Sequence, residues 1–83
     1  MRNTYELEIR AACPMHDGLI DCYKVTVSSE SMITVETILE FFERWTTEKI
    51  FQENLTRRAA AALGAQVELV GVHSGVMVRS VAP

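Results

Sequence analysis

Eighty-three residues fill one small domain and leave no length for separate cofactor and substrate lobes. A composition of 48% hydrophobic and 23% charged residues is that of a folded globular chain. Eight Lys and Arg against eleven Asp and Glu give a net charge of −3, which disfavours a sequence-independent grip on nucleic acid or on an anionic membrane surface.

No apolar run approaches the ~20 residues of a membrane span. Met1-Arg2-Asn3 leads straight into an alternating segment instead of a charged leader and hydrophobic run, so the chain reads as soluble and cytoplasmic. From Thr4 to Cys13, Tyr5, Leu7, Ile9, Ala11 and Cys13 fall on one face and Thr4, Glu6, Glu8 and Arg10 on the other, the pattern of a half-buried strand. Pro14 to Gly18 is a turn signal, and Leu19 to Ser28 resumes with Asp21, Tyr23, Val25 and Val27 on one face. The two strands form a hairpin. After the polar break at Ser28 to Ser31, Val35, Ile38, Leu39 and Phe42 recur at helical spacing, with Thr34 placed to cap them. Thr46-Thr47 interrupts the pattern, and Ile50, Phe51, Leu55, Ala59, Ala62 and Leu63 restart it, giving two helices or one kinked helix that ends at Gly64. Gln66 to Val72 and Val76 to Val81 are β-rich, joined by a turn at His73-Ser74-Gly75.

The order β-β-α-α-β-β predicts an α+β two-layer domain, a four-stranded antiparallel sheet with a helix pair on one face. Its bare face would expose Val70, Val72, Met77 and Val81 beside open sheet edges, an arrangement that calls for a homo-oligomer. Two cysteines are too few for a disulfide-stapled secreted scaffold, so Cys13 and Cys22 read as free thiols.

Cys13-Pro14, a turn, Asp21, a helix-borne Phe51-Gln52-Glu53 and a closing hairpin together resemble the tunnelling fold, whose units assemble into barrels. Within it they are most similar to the QueF family of 7-cyano-7-deazaguanine reductases and its amidinotransferase-like relatives, which act on the same nitrile in transfer RNA. The resemblance spans nearly the whole chain and treats residues 1–83 as a single tunnelling-fold-like domain. It implies Cys13 as the nucleophile that forms a thioimide, Asp21 as the acid, and Glu53, with Gln52 beside it, as the holder of a purine- or deazapurine-like heterocycle. A thiolate is the reactive form of Cys, and a carboxylate accepts from the N–H and amino donors of a guanine-like edge.

The departures are specific. Asp21 lies eight residues after Cys13 instead of seven, Gln52 stands where the family has His, and His73-Ser74-Gly75 replaces an Arg-Gly-Gly. The Lys-containing motif that the reductases use for NADPH is not recognisable, which leaves three outcomes open: a reductase that binds NADPH without it, transfer of the thioimide to ammonia or water, or a chain that has kept the fold and lost the reaction.

Other readings of the same residues stay open. Cys13 could be a buried structural thiol, Asp21 a turn-capping acid and Glu53 a solvated helix carboxylate, in a non-catalytic ligand-binding or assembly module. Cys13, His16, Asp17 and Cys22, with His73, could instead hold zinc, as in tunnelling-fold enzymes of pterin chemistry, although Cys-x2-His-x5-Cys matches no established zinc pattern. Without zinc, His16 and His73 are turn residues, and Tyr5, Tyr23, Phe41, Phe42 and Trp45 pack the core.

Overall fold

Strict alternation carries through into burial. In the computed structural model, which describes Met1–Pro83, strand β1 (Asn3–Ala12) turns Tyr5, Leu7, Ile9 and Ala11 inward and leaves Thr4, Glu6, Glu8 and Arg10 exposed. The strand stops one residue short of the expected Cys13. Pro14 follows with no N–H for a ladder, and the Cys13 N–H turns into the loop to donate to the Leu19 carbonyl at 3.0 Å. Strand β2 (Ile20–Ser29) pairs antiparallel along the whole of β1, from Asn3 opposite Ser29 to Ala12 opposite Ile20.

Helix α1 (Val35–Glu43) begins where Thr34 accepts the Thr37 N–H at 3.2 Å, the cap that the sequence predicts. A 3-10 turn, Arg44–Thr46, ends it, and the chain turns at Thr47 and Glu48 and is extended at Phe51 before helix α2 (Gln52–Leu63), so there are two helices and not one kinked one. Gly64 closes α2 in the left-handed conformation, φ 60°, which costs glycine nothing. Strands β3 (Gln66–His73) and β4 (Val76–Ala82) are joined by Ser74 and Gly75 alone, both at positive φ, the twist a two-residue hairpin turn requires.

The sheet order is β1-β2-β3-β4, antiparallel throughout, with both helices on one face. Tyr23, Val25 and Val27 of β2 and Val67 and Leu69 of β3 meet Ile38, Phe42, Trp45, Leu55, Ala59 and Ala60 in one core. Complete burial of a side chain such as Leu55 or Leu69 is worth about 1.5–3 kcal/mol relative to exposure. On the bare face Val72, Met77 and Val81 are more than half exposed, as expected. Val70 is half-buried instead, because it sits on an inner strand between Lys24 and Arg79 in register, whose long stems flank it. Coverage also runs out at the β1 edge, where Tyr5, Leu7 and Ile9 are half-buried and Val35 and Leu39 of α1 more than half exposed. No helix is long and apolar enough to cross a membrane.

Candidate active site

The end of the sheet at which β1 stops, β2 starts and β3 turns holds a pocket of about 230 Å³. Cys13 and Pro14 reach it from the β1–β2 loop, Asp21 and Tyr23 from β2, Phe51, Gln52 and Glu53 from the start of α2, and His73 from the end of β3. Cys13, Asp21, Gln52 and Glu53 therefore line one cavity although forty residues of chain separate the first from the last. The loop that carries Cys13 is tied down twice: a single parallel bridge joins Ala12 to Lys49, and the Lys49 ammonium pairs with the Asp17 carboxylate.

Gln52, which the resemblance places beside the substrate, is engaged within the fold. It is almost fully buried, and its Nε2 donates to the carbonyls of Leu69, at 3.0 Å, and Val78, at 2.9 Å. Both donor hydrogens are thus committed to the sheet, and Oε1 lies 2.7 Å from His73 Nε2. An amide oxygen only accepts, so His73 Nε2 carries a hydrogen and donates it. Gln52 is a bracket for His73. Glu53, exposed in the first turn of α2, has no partner within the chain, and the positive end of the helix dipole favours its carboxylate there.

Tyr23 does more than pack. Its hydroxyl donates to Asp21 Oδ2 at 3.3 Å, and its ring lies across β3 at Gly71. A Cβ at Gly71 would meet Tyr23 Cδ1 at 2.5 Å and Cε1 at 2.6 Å, so this glycine is required by close approach and not by backbone conformation. Burial, reinforced by the Asp21 carboxylate, pushes the Tyr23 phenol well above the ordinary tyrosine range. The other Asp21 oxygen, Oδ1, faces His73 Nδ1 at 4.0 Å, an ion-pair distance too long for a hydrogen bond.

His73, read from the sequence as a turn residue or a zinc ligand, is the site residue that was missed. The signal was parity: Val67, Leu69, Gly71 and His73 alternate on one face of β3, and the two-residue turn holds that register to the last residue. The suggested zinc set does not assemble. Cys22 is exposed on the face of β2 opposite Asp21, Asp17 is engaged by Lys49, and no three His, Cys, Asp or Glu side chains are grouped to hold a metal ion. Nor do the pocket residues fit NADPH, since the lining includes two carboxylates and no Lys or Arg to meet its phosphates.

The fold so described is an α+β two-layer β-β-α-α-β-β arrangement, as the sequence predicts. Among solved structures the chain is similar to the crystal structure of the archaeosine synthase QueF-Like in the apo form, with a TM-score of 0.83 and 19% sequence identity over 98% of this chain and 90% of that one. No protein-family model matches the chain, and no curated protein does.

Proposed function

We propose that the chain is the subunit of an oligomeric QueF-like enzyme that captures a nitrile on a purine- or deazapurine-like heterocycle. Cys13 is the nucleophile, Asp21 supplies the proton as the nitrile is attacked, and Glu53 accepts hydrogen bonds from the ring's N–H and amino edge. One observation carries this reading: residues chosen from motifs in separate segments line a single pocket, in a fold shared with a QueF-like archaeosine synthase. Because the lining offers no Lys or Arg for a dinucleotide phosphate, the thioimide passes to ammonia or water and not to a hydride donor.

The test is intact-protein mass spectrometry after incubation with a heterocyclic nitrile. The protein gains the mass of one nitrile, Cys22→Ala still gains it, and Cys13→Ala does not. An unmodified parent protein overturns the nitrile reading in favour of a non-catalytic module. Added NADPH leaves the adduct in place, and Cys13-dependent NADPH consumption would restore the reductase reading.

Assembly follows from the apolar surface left bare. Tyr5, Leu7, Ile9, Val35 and Leu39 along the β1 edge, and Val72, Met77 and Val81 on the open face, find cover in further copies of the chain that also pair the free edges of β1 and β4. Light scattering at micromolar concentration reads a closed multi-subunit assembly. A monodisperse monomer would overturn it.

A further inference from the structure

The pocket is lopsided in its acid–base groups. Cys13, Asp21, Tyr23 and Glu53 are all acids, and His73 is the one base that lines it. The orientation of His73 is not free, because Gln52 gives two hydrogens to the Leu69 and Val78 carbonyls and leaves only its oxygen for His73 Nε2. Nε2 is therefore protonated in either charge state of the ring. Nδ1 alone gains or loses a proton, and it faces Asp21 Oδ1 at 4.0 Å. When Nδ1 is bare, an imidazole lone pair and a carboxylate oppose each other with no donor between them. The arrangement is satisfied when a proton sits on one side or the other. The Tyr23 hydroxyl, on the far oxygen Oδ2, fixes the carboxyl in this pose.

We infer that His73 is a positioning residue that stores a proton for Asp21, with Gln52 setting its tautomer, in the nitrile capture proposed above, on which this inference rests. The step balances without an oxidant or reductant. The Cys13 sulfur, as thiolate, forms a bond to the nitrile carbon. One carbon–nitrogen π bond breaks, its electron pair moves to nitrogen, and nitrogen takes the proton of the Asp21 carboxyl. That proton reaches the carboxyl from His73 Nδ1, and the proton released when the thiol ionised then restores the imidazolium through solvent. The sum is thiol plus nitrile giving thioimide. A stored positive charge also offsets the thiolate and the two carboxylates that share the pocket.

Two measurements on the full chain test this. The first is the rate of adduct formation across pH, with a heterocyclic nitrile as probe. His73→Ala slows it at least about tenfold, the loss expected on removing a proton-transfer group, and flattens its pH dependence; added imidazole recovers much of the rate. Wild-type rate and pH profile in His73→Ala, or a slowed variant that imidazole leaves slow, would overturn the proposal. The second is the nitrogen-15 pattern of the His73 ring in the protein alone, which shows the Nε2–H tautomer when the ring is neutral and loses that preference in Gln52→Leu. An Nδ1–H tautomer in the parent protein would overturn the proposal even if His73→Ala fails to fold. If the parent protein forms no adduct at any pH, the nitrile reading itself falls and this inference falls with it. A parent that reacts and a His73→Ala variant that reacts as well defeat the inference alone.

Discussion

The two ends of the sheet make a useful contrast. At the end where β1 begins, Arg2, Ser28 to Ser31, Ala60, Ala61, Gly64 to Gln66 and Pro83 surround a hollow of about 670 Å³, much larger than the pocket at the Cys13 end. Its one cation is already occupied, since Arg2 reaches Glu30 at 3.2 Å and Gln66 at 3.1 Å, and the rest of the wall is small side chains and hydroxyls. The smaller pocket gathers a thiol, two carboxyls, a phenol and an imidazole, and pins the last by a buried amide. Volume records where side chains are short. Chemistry is found where titratable groups converge and hydrogen bonds hold them still.

The largest effect on this contrast comes from Glu53→Gln. Calorimetry with a guanine-like ring shows binding weakened by about 10- to 100-fold, the worth of a hydrogen bond to a charged acceptor, whereas Arg2→Ala at the other end leaves affinity unchanged. Equal losses in the two variants would erase the distinction between the ends.

Gly71→Ala sharpens it by separating scaffold from chemistry. The added methyl has no room beside the Tyr23 ring, and overpacking of this kind costs about 1–3 kcal/mol, read as a lower urea midpoint. An unchanged midpoint would mean that the Tyr23 ring does not lie across β3 as described.

The smallest effect is alkaline. Because burial and Asp21 hold the Tyr23 phenol above its ordinary range, the folded chain keeps a proton that the unfolded chain releases near pH ~10. The associated stability is fully present below that pH and is lost as pH rises above it. Denaturant titrations at about pH 9 and about pH 11 find a steeper decline in the parent than in Tyr23→Phe. Parallel declines would remove the buried Tyr23–Asp21 pair from the site.

Much of this architecture was legible before any coordinates. Alternation placed Tyr5, Leu7 and Ile9 on the inner face, Thr34 and Gly64 marked helix ends, and Gly75 marked a short hairpin turn, expected to start at His73 and found to be Ser74-Gly75 alone, because each signal is a local preference of a few adjacent residues. Boundaries slipped where a contact from elsewhere intervened. Cys13 left β1 for the Leu19 carbonyl, and α2 began at Gln52 and not Ile50, with Phe51 extended at the pocket wall.

The candidate site divides along the same line. Cys13, Asp21 and Glu53 could be singled out as candidates from motif and chemistry, since a thiol and two carboxyls are groups that sequence displays. The work of Gln52 could not be singled out, because it depends on a side chain of α2 reaching two carbonyls and an imidazole on β3 and β4, whereas His73 needed only the β3 alternation carried one residue further. Sequence by itself determined which faces are apolar and which residues carry a thiol, carboxyl or imidazole, because side-chain periodicity and functional groups are properties of the chain alone. Tertiary structure decided which of those residues meet and which nitrogen of His73 faces Asp21, because pairing β2 with β3 and seating α2 on the sheet join segments that no local preference connects.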